Sequence, residues 1–231
     1  MMRLDKFLCE MEIGSRSQVK QLLRQGLVTV NGEMENKADR KIQEGQDEIV
    51  YMGRRLEYQR FVYYMLNKPP GVVSAVRDRD CQTVTDLLKD TGRQDLFPVG
   101  RLDKDTEGLL LMTNDGALAH RLTSPRKKVK KQYYCELEKV ITREEANRLE
   151  QGVDIGDEKD TLPAEVEILE EQRILLTITE GRFHQVKRML EAVDNRVVYL
   201  KRLSMGSLCL DESLKPGEYR PLTEEEVKAL S

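Results

Sequence analysis

The sequence has no tryptophan, two histidines and four widely spaced cysteines in 231 residues. Because no two cysteines form a C-x-x-C pair, the chain is expected to carry neither a zinc site nor a disulfide framework. No apolar run approaches the roughly 18 residues that a membrane span requires. The opening residues, MMRLDKFLCE, contain acids and no apolar signal core, so we expect a cytoplasmic protein with no membrane partner.

Cofactor motifs are also missing. No glycine-rich loop for a dinucleotide or a phosphate follows a predicted strand, which argues against redox and nucleotide-dependent chemistry. His120 and His184 are the only histidines, and two are too few for a catalytic triad together with a metal site. His120 is expected on a helix surface, and His184 is expected to orient its own segment through a hydrogen bond. We expect no cofactor and no metal.

Charge is abundant but unevenly distributed. Charged residues make up 34% of the chain, hydrophobic residues 39%, and the net charge is −3. Six lysines and arginines and no acid lie between Gly116 and Cys135, whereas residues 224–226 are three consecutive glutamates. Because binding depends on where positive charge is concentrated, a negative total does not exclude a nucleic-acid partner.

The first 58 residues are predicted to form a small domain of two helices and a hairpin. Leu4, Phe7, Leu8 and Met11 follow helical spacing. A second helix is predicted after an N-cap at Ser15, and we place Val19, Leu22 and Leu23 on its core face. The strand LVTV then leads into the hairpin turn Asn31-Gly32, and a weaker strand, DEIVYM, follows a turn at Glu44-Gly45.

The exposed faces of these two helices are basic, and they carry Arg3, Lys6, Arg16, Lys20 and Arg24. A solvated helix surface is the simpler interpretation of such charges. However, the stretches RLDKFL and SRSQVKQLLRQGLVTVNG closely resemble the S4 RNA-binding domain. That resemblance implies that the basic faces contact an RNA backbone.

Residues 57–61 are predicted to connect this domain to a second one, spanning residues 61–231. Short strands such as YYMLNK, LLLMT, QYYCELE, AEVEIL and RILLTITE alternate with predicted helices. Strands this short and this close in sequence favour a mostly antiparallel, mixed sheet flanked by helices. The whole chain is therefore predicted to be α+β. On the strand QYYCELE, Tyr133 and Tyr134 should face opposite sides, and on residues alone both are interpreted as structural.

Residues 100–108, which we name the carboxylate loop, carry Asp103, Asp105 and Glu107 between two glycines and just before an apolar strand. Charged loops beside buried strands often hold reactive groups. The spacing D-x-D-x-E-G matches the start of a calcium loop, but the twelfth position is Asn114 instead of glutamate. A glycosidase carboxylate pair and a solvated acidic turn are the other interpretations open on residues alone.

The sequence GRLDKDTEGLLLMT resembles the signature loop of the pseudouridine synthases, specifically the type acting on small-subunit ribosomal RNA. Further segments resemble the same family in order along the chain, namely YMLNKPPGVVS, TSPR followed by KQY, EGRFHQVKRML and PGEYRPLTEEE. The likeness covers nearly the whole chain. It implies isomerisation of a uridine in 16S ribosomal RNA, by breaking the N1–C1′ bond and joining C5 to C1′.

The resemblance also implies roles for single residues. It places the catalytic carboxylate at Asp103, its cationic partner at Lys187 and a base-stacking ring at Tyr133. Because Tyr134 faces the opposite side of the strand, that placement makes Tyr134 the better candidate for the core. It suggests that Arg101 holds the RNA or fills the space left by the flipped base, and that Leu200 packs beneath that base. Lysine at 187, where the wider superfamily often has arginine, favours a point-charge contact over a bidentate clamp.

A run of basic residues before Tyr133 is predicted to follow RNA phosphates. The run consists of Arg126, Lys127, Lys128, Lys130 and Lys131, and Arg182, Arg188 and Arg202 are expected to extend it. We expect a monomer whose partner is small-subunit ribosomal RNA or an assembling 30S particle. The alternatives are a 23S-type pseudouridine synthase, a non-catalytic S4 ribosome-assembly protein and a nucleic-acid glycosylase.

Overall fold

A computed structural model describes residues 1–11, 13–43, 45–56 and 60–230. The chain divides into two compact units, residues 1–60 and 61–231. Glu44 of the expected turn and residues 57–59 of the expected connector lie outside the described residues. Within the described ranges, no helix combines the length and the apolar character needed to cross a membrane.

The first unit packs two helices against short strands. Its elements are β1 (Met2–Arg3), α1 (Leu4–Glu10), α2 (Arg16–Arg24), β2 (Val28–Val30), β3 (Glu33–Met34), β4 (Lys41–Ile42), β5 (Ile49–Tyr51) and β6 (Arg54–Leu56). The order β3-β2-β5-β6 is antiparallel throughout, and β1 pairs with β4.

Local sequence signals explain how this unit forms. Ser15 and Gln18 make a capping box at the start of α2, which satisfies amide groups that have no partner inside the helix. Asn31 and Gly32 both have positive φ, 55° and 83°, as a two-residue hairpin turn requires. The predicted core face is confirmed for Val19 and Leu23, which are buried, while Leu22 is half-buried.

The second unit is built on one mixed sheet. Its strands are β7 (Tyr63–Lys68), β8 (Phe97–Pro98), β9 (Glu107–Thr113), β10 (Lys131–Leu137), β11 (Glu165–Glu170), β12 (Arg173–Ile178), β13 (Val197–Met205), β14 (Leu208–Cys209) and β15 (Tyr219–Pro221). Its helices are α3 (Gly116–Thr123), α4 (Arg143–Gln151), α5 (Gln185–Glu191) and α6 (Glu224–Ala229), with 3-10 segments at Val84–Thr91 and Pro125–Lys127.

The main strand order is β11-β12-β10-β13-β9-β7-β15, with β14 on β13 and β8 on β9. Among the described strands only β13 and β9 pair in parallel, and only through Lys201↔Glu107 and Arg202↔Gly108. The predicted α+β class and the mostly antiparallel sheet are therefore confirmed. The short parallel joint at the centre lies where the carboxylate loop enters β9.

Separate hydrophobic clusters lie in this unit. One includes Leu66, Leu110 and Tyr133, and the other includes Met65, Leu109 and Met205. Because Met65 and Leu66 are consecutive in β7, their side chains leave opposite faces of the sheet. The central strands β7 and β9 are thus covered on both sides, which gives the carboxylate loop a rigid support.

Candidate active site

The carboxylate loop is held from below by buried side chains. Lys68, at the end of β7, is completely buried, and its Nζ donates to the carbonyl oxygens of Pro69, Lys104 and Thr106 at 3.0, 3.2 and 2.8 Å. The Ser74 hydroxyl donates to the Leu102 carbonyl at 2.8 Å and accepts from the Leu102 amide at 3.0 Å. These bonds fix the backbone on both sides of Asp103.

Lys68 is a charged group buried in the protein interior. Burial lowers its pKa to about 8, and the carboxylates of Asp105, Asp103 and Glu107 oppose that shift. Three carbonyl acceptors compensate for part of the hydration that the ammonium loses. The sequence offers one sign of this role, since Lys68 is the last residue of a predicted apolar strand. A lysine at such a position is rarely buried unless it has specific hydrogen-bond or charge partners.

Asp103 opens into a cavity of about 530 Å³. The cavity wall includes Arg101, Lys104, Lys131, Tyr133, Arg182, His184, Leu200 and Arg202. Among the described residues that line it, Asp103 is the one carboxylate. A cavity with one acid and several cations suits a polyanionic ligand in which one position must meet a carboxylate.

Two nitrogen groups approach the Asp103 carboxylate. Lys187 Nζ lies 3.7 Å from one oxygen and His184 Nε2 lies 3.6 Å from the other. Lys187 is much closer to Asp105, at 2.6 and 2.7 Å from its two oxygens, and that hydrogen bond lowers the pKa of Asp105. The predicted cation is therefore beside Asp103, but it is shared with a second carboxylate that the sequence did not identify as its partner.

His184 differs from expectation in its contacts. Its ring stacks on Phe183 with the centroids 3.8 Å apart, and Phe183 is 73% exposed. The residue has positive φ, 49°, and caps no helix amide with its side chain. The imidazole is thus directed at Asp103 instead of at its own backbone. His120 lies on the helix surface as predicted.

The cavity brings together the other predicted site residues. Tyr133 and Leu200 lie on adjacent strands, β10 and β13, and both line the cavity, as does the exposed Arg101. The expectation that Tyr134 is the more buried tyrosine is wrong. Tyr133 is 7% exposed, while Tyr134 is half-buried and its hydroxyl donates to Glu136 at 2.9 Å. The alternation of faces was predicted correctly, but the core lies on the Tyr133 side.

The basic run before Tyr133 divides into an exposed part and a buried part. Arg126, Lys127 and Lys128 are exposed, and Lys130 pairs with Glu165 at 2.6 Å. Lys131 and Arg202, which were also predicted to follow phosphates, are only 9% and 1% exposed and do not share the exposed surface of the run. Both line the cavity instead, because each lies on a strand face that points inward.

Arg182 and Arg188 bind their own chain. Arg182 donates to Glu180 and to the carbonyls of Lys159 and Asp160. Arg188 donates to the Ile155 carbonyl and to Asp157. These guanidinium groups therefore anchor residues 155–160 beside α5. Their first role in the described structure is to hold this loop.

In the first unit, two of the predicted basic residues have acidic neighbours. Arg3 binds Asp5 at 2.8 Å, and Lys6 lies 3.6 Å from Glu10. Arg16, Lys20 and Arg24 are exposed along α2. Nowhere in the described ranges do three or more His, Cys, Asp or Glu side chains form a group able to hold a metal ion.

The sequence and the fold can be compared with those of known proteins. Residues 62–192 match the RNA pseudouridylate synthase family, and residues 2–49 match the S4 domain. The chain is 49% identical over 235 residues to the RNA pseudouridine synthase YtzG of Bacillus subtilis, covering 100% of this chain and 98% of that protein. It is 44% identical to ribosomal small subunit pseudouridine synthase A of Escherichia coli K12, covering 99% and 100%.

A solved structure agrees with these relatives. A crystal structure of a pseudouridylate synthase is 39% identical to this chain, with a TM-score of 0.71 and coverage of 100% of both chains. The predicted enzyme class is thereby confirmed, because the family match and the relatives extend across the domain that contains the cavity. The chain belongs to the RNA pseudouridylate synthase family and carries that fold together with an S4 domain.

Proposed function

We propose that this enzyme converts a specific uridine of 16S ribosomal RNA to pseudouridine, with Asp103 as the catalytic carboxylate and the flipped base stacked on Tyr133. The position of Asp103 carries the proposal, since it opens into a cavity walled by Tyr133 and Leu200 and lies 3.7 Å from Lys187. The relatives named as small-subunit synthases support the choice of RNA.

The reaction needs no external oxidant, reductant or activated group. The N1–C1′ bond breaks, the uracil turns, C5 bonds to C1′, C5 loses its proton and N1 gains one. Asp103 either attacks the sugar carbon as a nucleophile or removes a sugar proton to assist departure of the base. Both routes need a carboxylate at position 103, and Lys187 Nζ lies 3.7 Å from one of its oxygens.

The aromatic and apolar wall would hold the base once it leaves the RNA stack. A flipped base is commonly read by stacking against aromatic and apolar side chains. Tyr133 supplies a ring and Leu200 an apolar surface on neighbouring strands. Arg101, exposed at the cavity, is suited to hold the RNA or to fill the space left by the base.

RNA binding outside the cavity is assigned to exposed cations. The S4 contribution comes from Arg16, Lys20 and Arg24 on α2, from Lys6 on α1 and from Arg3 at the end of β1. Arg126, Lys127 and Lys128 supply a second basic patch on the catalytic unit. The enzyme acts as a cytoplasmic monomer, on ribosomal RNA or on an assembling 30S particle. The S4 domain spans residues 1–58, and the catalytic domain spans residues 61–231.

The test is Asp103→Asn, which keeps the side-chain shape and removes the charge. We expect tritium release from C5-labelled uridine in small-subunit RNA to fall by at least about 10³-fold, in line with loss of a catalytic carboxylate. RNA affinity should stay within a few-fold. Glu212→Gln, an exposed charge removal in the same unit, is the matched control and should retain full activity.

Three outcomes would contradict the proposal. Normal turnover by Asp103→Asn would remove this residue from the chemistry. Free uracil in the products would indicate a glycosylase, and an inactive wild-type chain that still binds RNA would indicate an assembly protein. Mapping pseudouridines in ribosomal RNA from cells lacking the chain would identify the target and would distinguish a 16S site from a 23S site.

A further inference from the structure

Two buried cations lie beside Tyr133 at the inner wall of the cavity. Arg202 is directly opposite Tyr133 in the β10–β13 ladder, and Lys131 precedes Tyr133 by two residues on the same strand. Side chains opposite each other, or two apart, share one face of a sheet. Lys131, Tyr133 and Arg202 therefore face the cavity together.

Neither cation has a carboxylate partner within the described residues. Lys131 Nζ donates to the Val129 carbonyl at 3.0 Å, and Arg202 Nε donates to the Leu109 carbonyl at 2.8 Å. Arg202 Nη2 is buried and has no hydrogen-bond partner in the described structure, and the same is true of the hydroxyl of Thr106 on the same cavity wall. This part of the wall presents hydrogen-bond donors without protein acceptors.

Such an arrangement is costly in the protein alone. A buried charge without a partner is strongly unfavourable, and a second like charge adds to that cost. Accordingly, burial and the neighbouring Arg202 lower the pKa of Lys131 to about 8, while Glu180 opposes the shift. A ligand group that accepts hydrogen bonds and carries negative charge would relieve the cost.

The position of the pair indicates which part of the nucleotide it meets. Arg101 and Lys104, which also line the cavity, are exposed and thus accessible to backbone phosphates. Lys131 and Arg202 are buried beside the ring on which the base is proposed to stack. Buried donors beside this ring suit the carbonyl oxygens of an inserted base better than a phosphate of the RNA backbone.

We propose that Lys131 and Arg202 stabilise the negative charge that forms on the uracil when its bond to the sugar breaks. In either route for Asp103, the electron pair of the N1–C1′ bond stays with the base and spreads over N1, O2 and O4. Donors fixed at the carbonyl oxygens lower the energy of this anion until C5 attacks C1′. Preorganised donors at a developing charge are among the largest contributions to catalysis.

This inference rests on the proposed function, so the wild-type chain is assayed first on small-subunit RNA. Lys131→Met removes the ammonium and keeps much of the side-chain volume. We expect kcat to fall about 100-fold or more, the size seen for loss of one donor to a developing oxyanion. The RNA Kd should stay within a few-fold, because the charge arises only during the reaction.

An altered substrate separates a chemical role from a structural one. In RNA with 2-thiouridine or 4-thiouridine at the target position, sulfur replaces one carbonyl oxygen, accepts hydrogen bonds more weakly and spreads negative charge better than oxygen. The loss caused by Lys131→Met should therefore be several-fold smaller on the RNA whose substituted atom meets Lys131 than on uridine RNA. Coupling of this kind between a side chain and one substrate atom is what a double-mutant cycle measures.

Two further variants complete the design. Lys131→Arg keeps the cation and should restore most of kcat. In the wild type, kcat/KM is expected to fall as pH rises past about 8, the pKa of Lys131. In Lys131→Arg this fall should occur at higher pH. Arg202→Gln can still donate to the Leu109 carbonyl and should also lose activity. Lys228→Met, an exposed lysine on α6, is the control and should match the wild type.

The outcomes distinguish failure of this inference from failure of the proposed function. A wild-type chain that forms no pseudouridine would overturn the function itself. An active wild type with Lys131→Met within a few-fold in kcat would overturn only the role of the cation pair. So would a loss confined to RNA Kd, which would assign the pair to phosphate binding, or an equal loss on uridine RNA and on both thio-substituted RNAs.

Discussion

Gly108→Ala is expected to damage both stability and catalysis, because Gly108 forms the parallel joint of the sheet. Its φ is +97°, and a Cβ at this position would lie 2.3 Å from the Arg202 carbonyl oxygen and 2.8 Å from the Arg202 amide nitrogen. Both atoms belong to backbone, so no side chain can rotate away. The added methyl group must push β9 and β13 apart.

The magnitude follows from two costs. A residue with a Cβ at positive φ costs about 1–2 kcal/mol, and overpacking at a tight contact costs about 1–3 kcal/mol. Together they predict that the free energy of unfolding falls by about 2–5 kcal/mol. Because Gly108 closes the carboxylate loop and faces Arg202, a shift of about 1 Å could reduce kcat by about 100-fold.

The assay is urea unfolding at fixed pH, followed by turnover under conditions where the variant is folded. Gly116→Ala is the matched control, since Gly116 begins α3 with no atom within 4 Å of its added Cβ and no positive φ. That variant should be as stable as the wild type, or more stable by about 0.5–1 kcal/mol. A Gly108→Ala variant within about 0.5 kcal/mol of the wild type would refute the reasoning, given that surface substitutions fall in that range.

Two other predictions concern charge. Lys187→Met should lower kcat by about 100-fold because Asp103 and Asp105 lose their shared cation. Asp105→Asn should lower kcat much less. If steady-state kinetics show a larger loss for Asp105→Asn, Lys187 is not the cation that serves Asp103. Burial lowers the pKa of Lys68 to about 8, below the value near 10.4 of an unfolded lysine. The folded chain therefore releases this proton first as pH rises, so the stability of the wild type relative to Lys68→Met should increase between about pH 7.5 and about pH 9.5. Urea unfolding of both proteins across that range would test this prediction. If the stability of the wild type relative to Lys68→Met stays constant or falls as pH rises, Lys68 is not a buried charged group.

Most elements could be predicted because their signals are local. The N-cap of α2 at Ser15 and the hairpin turn at Asn31-Gly32 are found where the sequence places them. The alternation on β10 was also correct. Which face of β10 is buried could not be predicted, because it depends on the strands and helices that pack there, and the core proved to lie on the side of Tyr133.

The site was harder to predict wherever charges act over long sequence separations. Lys187 and Asp105 are 82 residues apart, so no local pattern links them. Lys131 and Lys130 have the same charge and adjacent positions, yet one is buried and the other pairs with Glu165. Composition describes a basic run, whereas only the strand register decides which of its members turns inward.

The concentration of cations around a single carboxylate has a consequence for how the enzyme first meets RNA. At physiological ionic strength electrostatic fields fade over about 8 Å, so a passing strand does not sense the cavity from afar. The cations of the cavity wall therefore add their attraction only to a nucleotide that is already at the entrance. A first contact elsewhere on the catalytic unit depends on exposed cations such as Arg126, Lys127 and Lys128.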